Sequence, residues 1–212
     1  MRATLADPPP LPRRRLLFIG DSVTCGAGID NWPACPAETD RPSNGYDAYG
    51  MLLGRRLDAQ SELVCYGGRG VVRDYLGHRN VLNAPQFFNY SIPADDPTLQ
   101  AKWVDDGWTP DAVVISLGTN DWNLQKTDPL TEDEFVGKYL GLVRDVRSHY
   151  RHAWIVLTNT RLDRRRPCAQ PVGSGDSEAH ERSARCLVRL APLSWQRLRR
   201  ASRQNATPRD RG

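Results

Sequence analysis

Four short apolar runs punctuate the chain: Leu16 to Ile19, Leu63 to Tyr66, Ala112 to Leu117 and Trp154 to Leu157. Each is continuous rather than alternating, the pattern of parallel strands buried on both faces. Helical spacing fills some of the gaps. In "GYDAYGMLLGRRLDA", Tyr46, Tyr49, Leu53 and Leu57 recur every three or four residues, which predicts one stripe turned toward a sheet. A stronger stripe runs through Phe135, Val136, Tyr139, Leu140, Val143, Val146 and Tyr150, with Thr131 and Glu134 spaced as a capping box at its start. Strands separated by roughly 40–50 residues with helices among them indicate repeated β-α-β crossovers. The expected fold is therefore α/β, a three-layer sandwich with a parallel sheet.

In such sheets, function collects beyond the carboxyl ends of the strands. Those ends read "GDS", "GGRG", "GTND" and "TNT" in chain order. Residues 80–110, with four prolines and scattered aromatics, read as a long irregular excursion over this edge.

Composition changes the picture in the last quarter of the chain. The 212 residues suit one domain, and 29 basic against 25 acidic residues give a net charge of only +4. The balance is uneven: up to Leu157 acids outnumber bases by 20 to 16, whereas the remaining 55 residues hold 13 Arg and 5 acids. Those 55 residues contain no Phe, Tyr, Ile, Met or Lys, and no strand pattern follows Leu157. The expected organisation is a disordered lead-in over 1–15, an α/β domain over 16–157 that is incomplete, and an Arg-rich tail over 158–212. A shift of reading frame or a misassigned gene end near residues 158–162 would account for the change. Reading the other two frames tests it. As a nucleic-acid partner the tail is a remote candidate, since clustered guanidinium groups bind phosphate but no helix, finger or aromatic platform accompanies them.

Five cysteines, Cys25, Cys35, Cys65, Cys168 and Cys186, are an odd number without Cys-x-x-Cys pairs. Neither a disulfide framework nor a structural metal is expected from them; Cys25 and Cys65 read as packing. The Pro- and Arg-rich start lacks the apolar stretch of a signal peptide, so as written the chain is expected to be cytoplasmic, and no stretch suits a membrane span.

Acyl transfer by serine needs an exposed hydroxyl, a base for its proton, and donors aimed at the developing oxyanion. A serine in a tight turn after a strand offers the first, and glycine-rich turns and a carboxamide on neighbouring strand ends offer the third. Alone, Ser22 could be an ordinary helix N-cap. The segments "FIGDSVTCGAG", "YGGRGVVRD" and "ISLGTNDW" resemble, in order, the first three blocks of the SGNH (GDSL-type) hydrolases, whose sandwich is flavodoxin-like. "NGYDAYGMLLGRRL" and the helix from Thr131 resemble more narrowly the carbohydrate esterases of family two, which deacetylate polysaccharides and simple acetylated sugars. By that resemblance Ser22 is the nucleophile, and the Ser22 N–H, the Gly68 N–H and the Asn120 amide form the oxyanion hole, with Gly70 as second choice for the glycine. Trp122 is a tentative wall for a sugar ring, with Trp103 and Trp108 as further candidates from the excursion. Asp21 and Asp121 read as turn-stabilising acceptors.

The resemblance implies no metal and no organic cofactor; the partner is a small-molecule or polysaccharide ester. It also implies a base from a late Asp-x-x-His loop, which no segment here matches. Only His180 of the four histidines follows the fourth strand, and Asp176 precedes it by four residues rather than three. A chain without that base would keep binding and oxyanion contacts but little turnover. A lipase or thioesterase of the same fold is the rival substrate reading.

Overall fold

The computed structural model describes residues 10–30, 43–94, 96–104, 106–124 and 126–158. In chain order the elements are β1 (Arg14–Gly20), α1 (Tyr49–Leu57), β2 (Ala59–Cys65), α2 (Ala84–Phe87), β3 (Tyr90–Ile92), β4 (Ala101–Lys102), β5 (Ala112–Ser116), α3 (Glu132–His149) and β6 (Trp154–Thr158). Four strands form one parallel sheet in the order β2-β1-β5-β6. The chain leaves β1 for β2 on one side and later returns to β5 on the other. The order therefore reverses at β1, where open sheets of this type hold their ligands.

The sheet is covered differently on its two faces. Leu17 and Ile19 of β1, with Val113 and Ile115 of β5, face a fully buried cluster that includes Phe135, Tyr139, Leu142 and Val146 of α3. The α3 stripe thus falls as the sequence predicts, with Leu142 added at its centre and Leu140 half-buried beside it. Thr131 caps the helix by accepting from the Glu134 N–H at 3.2 Å. The other half of the capping box is spent elsewhere, because the Glu134 carboxylate pairs with Arg79. On the opposite face, α1 covers β1 and β2.

Two expectations about these elements change. Of the predicted stripe Tyr49 meets the sheet, its ring 5.6 Å from that of Phe18, and Gly50 and Gly54 complete the buried face, while Tyr46, Leu53 and Leu57 are exposed. A Cβ at residue 50 would sit 2.8 Å from the Phe18 ring and 2.9 Å from Leu63, so the helix backbone rests almost directly on the strands. The second change concerns 80–110. A parallel strand must restart at the amino edge of the sheet, so the excursion has to travel the sheet's whole length. It begins at the carboxyl edge, where the Ala84 N–H donates to the Gly70 carbonyl, and finishes at the amino edge, where the Asp111 N–H donates to the Arg15 carbonyl. Along the way it forms the antiparallel β3–β4 pair against the end of α3.

Candidate active site

The turn after β1 closes on itself without forming a helix. The Cys25 N–H donates to the Asp21 carbonyl and the Ala27 N–H to the Ser22 carbonyl, and residues 22–30 stay in turn geometry. Ser22 therefore sits in a tight turn as expected, but no regular helix starts there to be capped. The turn is possible because residue 20 is glycine: a Cβ there would lie 1.9 Å from the Thr24 hydroxyl and 2.8 Å from the Ser116 carbonyl oxygen. Thr24, itself fully buried, is held in turn by the Tyr49 hydroxyl at 3.1 Å.

Cys25 and Cys65 form a disulfide, which corrects the reading of both as packing residues. Cysteine counting missed it because the odd total and the spacing of 40 residues carry no pairing signal. Its position matters: it ties the Ser22 turn to the carboxyl end of β2, just before the Gly67-Gly68 turn. At that turn a Cβ on Gly67 would lie 3.8 Å from the Ser22 Cβ, so the two turns are in contact. Gly68 has φ +75°, a conformation that favours glycine, and its carbonyl accepts from the Tyr75 N–H at 2.9 Å.

Asn120, at the end of β5, is buried beside both turns. Its amide nitrogen donates to the Arg69 carbonyl at 2.8 Å and reaches the Asp21 carboxylate at 3.4 Å. Asp21 also accepts from the Val23 N–H, so one carboxylate braces the Ser22 turn and faces the carboxamide. Burial, reinforced by the nearby Asp121 charge, pushes the Asp21 carboxyl up to about 6 against the pull of its backbone hydrogen bond.

Asp121 is the structural centre of the edge. Its carboxylate accepts the backbone N–H groups of Val71, at 2.9 Å, Val72, at 2.7 Å, and Arg73, at 3.3 Å. Burial pushes this carboxyl upward, and the three amides hold it back. Fully buried Arg73 completes the clamp, its Nε donating to the Asp121 carbonyl and its Nη1 to Asp128 at 2.6 Å. Gly70 lies inside this clamp, where a Cβ would meet the Asp121 carboxylate at 2.4 Å. Asp21 and Asp121 are thus turn acceptors, as their positions after Gly and Asn suggest.

Arg69, Arg73 and Asp74 are residues that sequence reasoning passed over. Arg69 is buried, lies 4.9 Å over the Tyr66 ring and sits 3.6 Å from Asp74. Asp74 in turn meets the His78 ring nitrogen at 2.9 Å, which helps hold its carboxyl below the usual range despite an opposing desolvation effect. The signal available was the density of charge in "GGRGVVRDYLGHR" around two valines and immediately after a strand of the sheet, where buried charged residues need partners.

The aromatic candidates divide. Trp122 follows Asn120 and packs its ring on Phe135 at 5.2 Å, half-buried at the same edge. Trp103 and Trp108 do not join it: Trp103 lies against His149 at the end of α3, and Trp108 donates to the Gln60 side chain near the start of β2. The return path of the excursion carries both to the amino edge. His180 and the tail from 159 lie outside the described residues, as does the expected change of frame. Among the described residues no group of three or more His, Cys, Asp or Glu could hold a metal ion, and no helix is long and apolar enough to cross a membrane.

Comparison with known proteins gives a consistent result. An acetylxylan esterase / glucomannan deacetylase of Cellvibrio japonicus is 37% identical over 150 residues, which are 71% of this chain and 40% of that protein. Among solved structures, a family two carbohydrate esterase from the same organism superposes with a TM-score of 0.65 at 31% identity, covering 90% of this chain and 50% of the other. A family two carbohydrate esterase from Clostridium thermocellum, in complex with cellohexaose, gives a TM-score of 0.59 at 28% identity over 86% of this chain and 51% of the other. The chain therefore spans about half of the length of these relatives, or less. Residues 18–203 match the GDSL-like Lipase/Acylhydrolase family, a match that takes in the GDS, GGRG and GTND edges alike. The chain belongs to that family, the GDSL-like lipases and acylhydrolases.

Proposed function

We propose that this chain is a serine ester hydrolase that removes acetyl groups from carbohydrate through an acyl-Ser22 intermediate. The observation that carries this reading is the meeting of three distant segments at one strand edge: the Ser22 turn, the Gly67-Gly68 turn beside it, and the Asn120 amide bonded to Arg69 and facing Asp21. The names of the relatives supply the acetyl group and the sugar. In the reaction the Ser22 oxygen attacks the acetyl carbon, and the carbonyl electron pair moves onto oxygen. The Ser22 N–H, the Gly68 N–H and the Asn120 amide then stabilise that charge. Asn120 can serve because only one of its contacts is short; the N–H facing Asp21 at 3.4 Å is weakly held and turns to an oxyanion at little cost. Collapse of the intermediate releases the sugar hydroxyl, and water then attacks the acyl-enzyme. The proton of Ser22 passes to a base, for which His180 is the candidate. Trp122 provides an apolar wall at the same edge.

The test is hydrolysis of p-nitrophenyl acetate and of acetylated xylan by wild type, Ser22→Ala, Asn120→Ala and His180→Ala. Ser22→Ala should abolish turnover, and Asn120→Ala should lower kcat on the order of a hundredfold, which is about 3 kcal/mol of transition-state stabilisation. Activity that survives Ser22→Ala would sink the proposal. Faster cleavage of a long-chain ester than of the acetate would move the substrate to the lipase and thioesterase class.

A further inference from the structure

The excursion, which starts at the carboxyl edge and then runs away from it, builds something else. We infer that it forms a second, non-catalytic site for a neutral glycan chain, in the cleft between α2, the β3–β4 pair and the end of α3. This inference rests on the carbohydrate reading above and extends it to a surface distinct from the Ser22 edge. The cleft has a volume of about 470 Å³ and is lined by Leu82, Gln86, Tyr90, Lys102, Trp103 and His149, among others. That size is in the range of small-molecule sites.

Its chemistry suits a sugar. The axial C–H groups of a pyranose ring carry slight positive charge and pack on the negative face of an indole or phenol ring, while the equatorial hydroxyls need donors and acceptors at the rim. Trp103 and Tyr90 supply the rings. Trp103 is fixed rather than loose, its main-chain N–H donating to the Asn89 carbonyl at 3.0 Å and its ring set against His149. Asn89 is pinned by Asp145 of α3 at 3.0 Å, which locks the excursion to the helix and preforms the cleft. The Gln86 amide is exposed at the rim and the Lys102 ammonium beside it. His149 places Nδ1 2.9 Å from the Asp145 carbonyl, so with Nδ1 donating there the other ring nitrogen is an acceptor. Among the described residues no acidic side chain lines the cleft, and a single ammonium is too little for a phosphate, which takes several converging charged donors.

Position separates this cleft from the catalytic edge. The cleft runs from α2, whose first residue bonds Gly70 at the carboxyl edge, to residue 149 at the end of α3, and Ser22, Gly68 and Asn120 are not among its lining residues. A polysaccharide held there would keep the enzyme on its substrate between turnovers, through effective concentration rather than new chemistry.

Affinity electrophoresis of the full chain through gels containing deacetylated xylan or glucomannan tests this. Wild type and Ser22→Ala should be retarded equally, whereas Trp103→Ala and Gln86→Ala should each weaken retention, Trp103→Ala about fivefold or more. Gln86 is exposed, so its variant decides the matter if Trp103→Ala fails to fold by circular dichroism. Retention unchanged in the folded variants, or lost in Ser22→Ala, would overturn the proposal. So would no retention at all, including the case in which sizing columns show the cleft occupied by a second copy of the chain. Loss of hydrolysis by Ser22→Ala is read separately, so failure of the esterase reading and failure of this one give different results.

Discussion

Asp21 couples the site to pH through one buried carboxyl. Its pKa is raised by burial from an ordinary 3.8 to about 6 in the folded chain, so the folded state binds its proton more tightly than the unfolded state does. A raised folded pKa gives stability that is fully present below the unfolded pKa and is lost as pH rises through the folded one. The window is therefore about pH 4 to 6, and above it the wild type carries the full cost of a buried charge facing Asn120. Asp21→Asn keeps an acceptor for the Val23 N–H and removes the charge. Its stability advantage over wild type should grow by about 2 kcal/mol between pH 4 and pH 7, read from urea midpoints at each pH. An advantage that stays flat across that range would mean that Asp21 is not the group responsible. Asp121 shifts in the same direction, but it is held by three amides, so its removal would dismantle the edge rather than report on it.

At the scale of elements, two helices use glycine for opposite reasons. In α1, Gly50 is buried and a methyl there would drive into the Phe18 ring; in α3, a methyl at Gly137 would meet nothing within 4 Å. Gly50→Ala should destabilise by about 1–2 kcal/mol, overpacking outweighing the gain in helix propensity. Gly137→Ala should stabilise by up to about 1 kcal/mol. Thermal melts of the two variants should move in opposite directions, and a shared direction would refute the assignment of the α1 face. This contrast also shows what could be read from the sequence. The strands and α3 were legible because their burial is encoded in large apolar side chains at the right period. The α1 face was legible only at Tyr49, because glycines bury backbone and leave no apolar signal, so the rest of the period fell on Tyr46, Leu53 and Leu57, which face water. At the candidate site, the meeting of the turns that carry Ser22, Gly68 and Asn120 was legible through short motifs at strand ends. The clamp of Arg73 on Asp121 and Asp128 was not, since local charge density signals a need for partners but not which distant residues supply them. The path of the excursion was misread because composition does not say which edge a loop must reach.

For the whole molecule, the Cys25–Cys65 bond is a covalent link between the Ser22 turn and the neighbouring strand end. It closes a loop across 40 residues that contains all of α1. In the chain-entropy account, removing a crosslink of that span costs about 4 kcal/mol through the freedom returned to the unfolded chain. Domains of this size have only roughly 5–15 kcal/mol in total, so the bond is a large fraction of what keeps the fold closed. The sheet would not lose its central β1–β5 contact with α3, which lies outside the loop. The effect should instead fall on α1 and the Ser22 turn, the parts held from one side only. Urea unfolding of the oxidised protein, the same protein with reductant, and the Cys25→Ala/Cys65→Ala double variant should give two matching lower midpoints against one higher one. Hydrogen exchange should quicken in α1 and in residues 21–28 before it quickens in α3. If thiol titration shows both cysteines reduced while the midpoint and exchange stay unchanged, the crosslink is energetically idle, and the turn around Ser22 is held by its hydrogen bonds, the Asp21 brace and the Gly20–Thr24–Tyr49 packing.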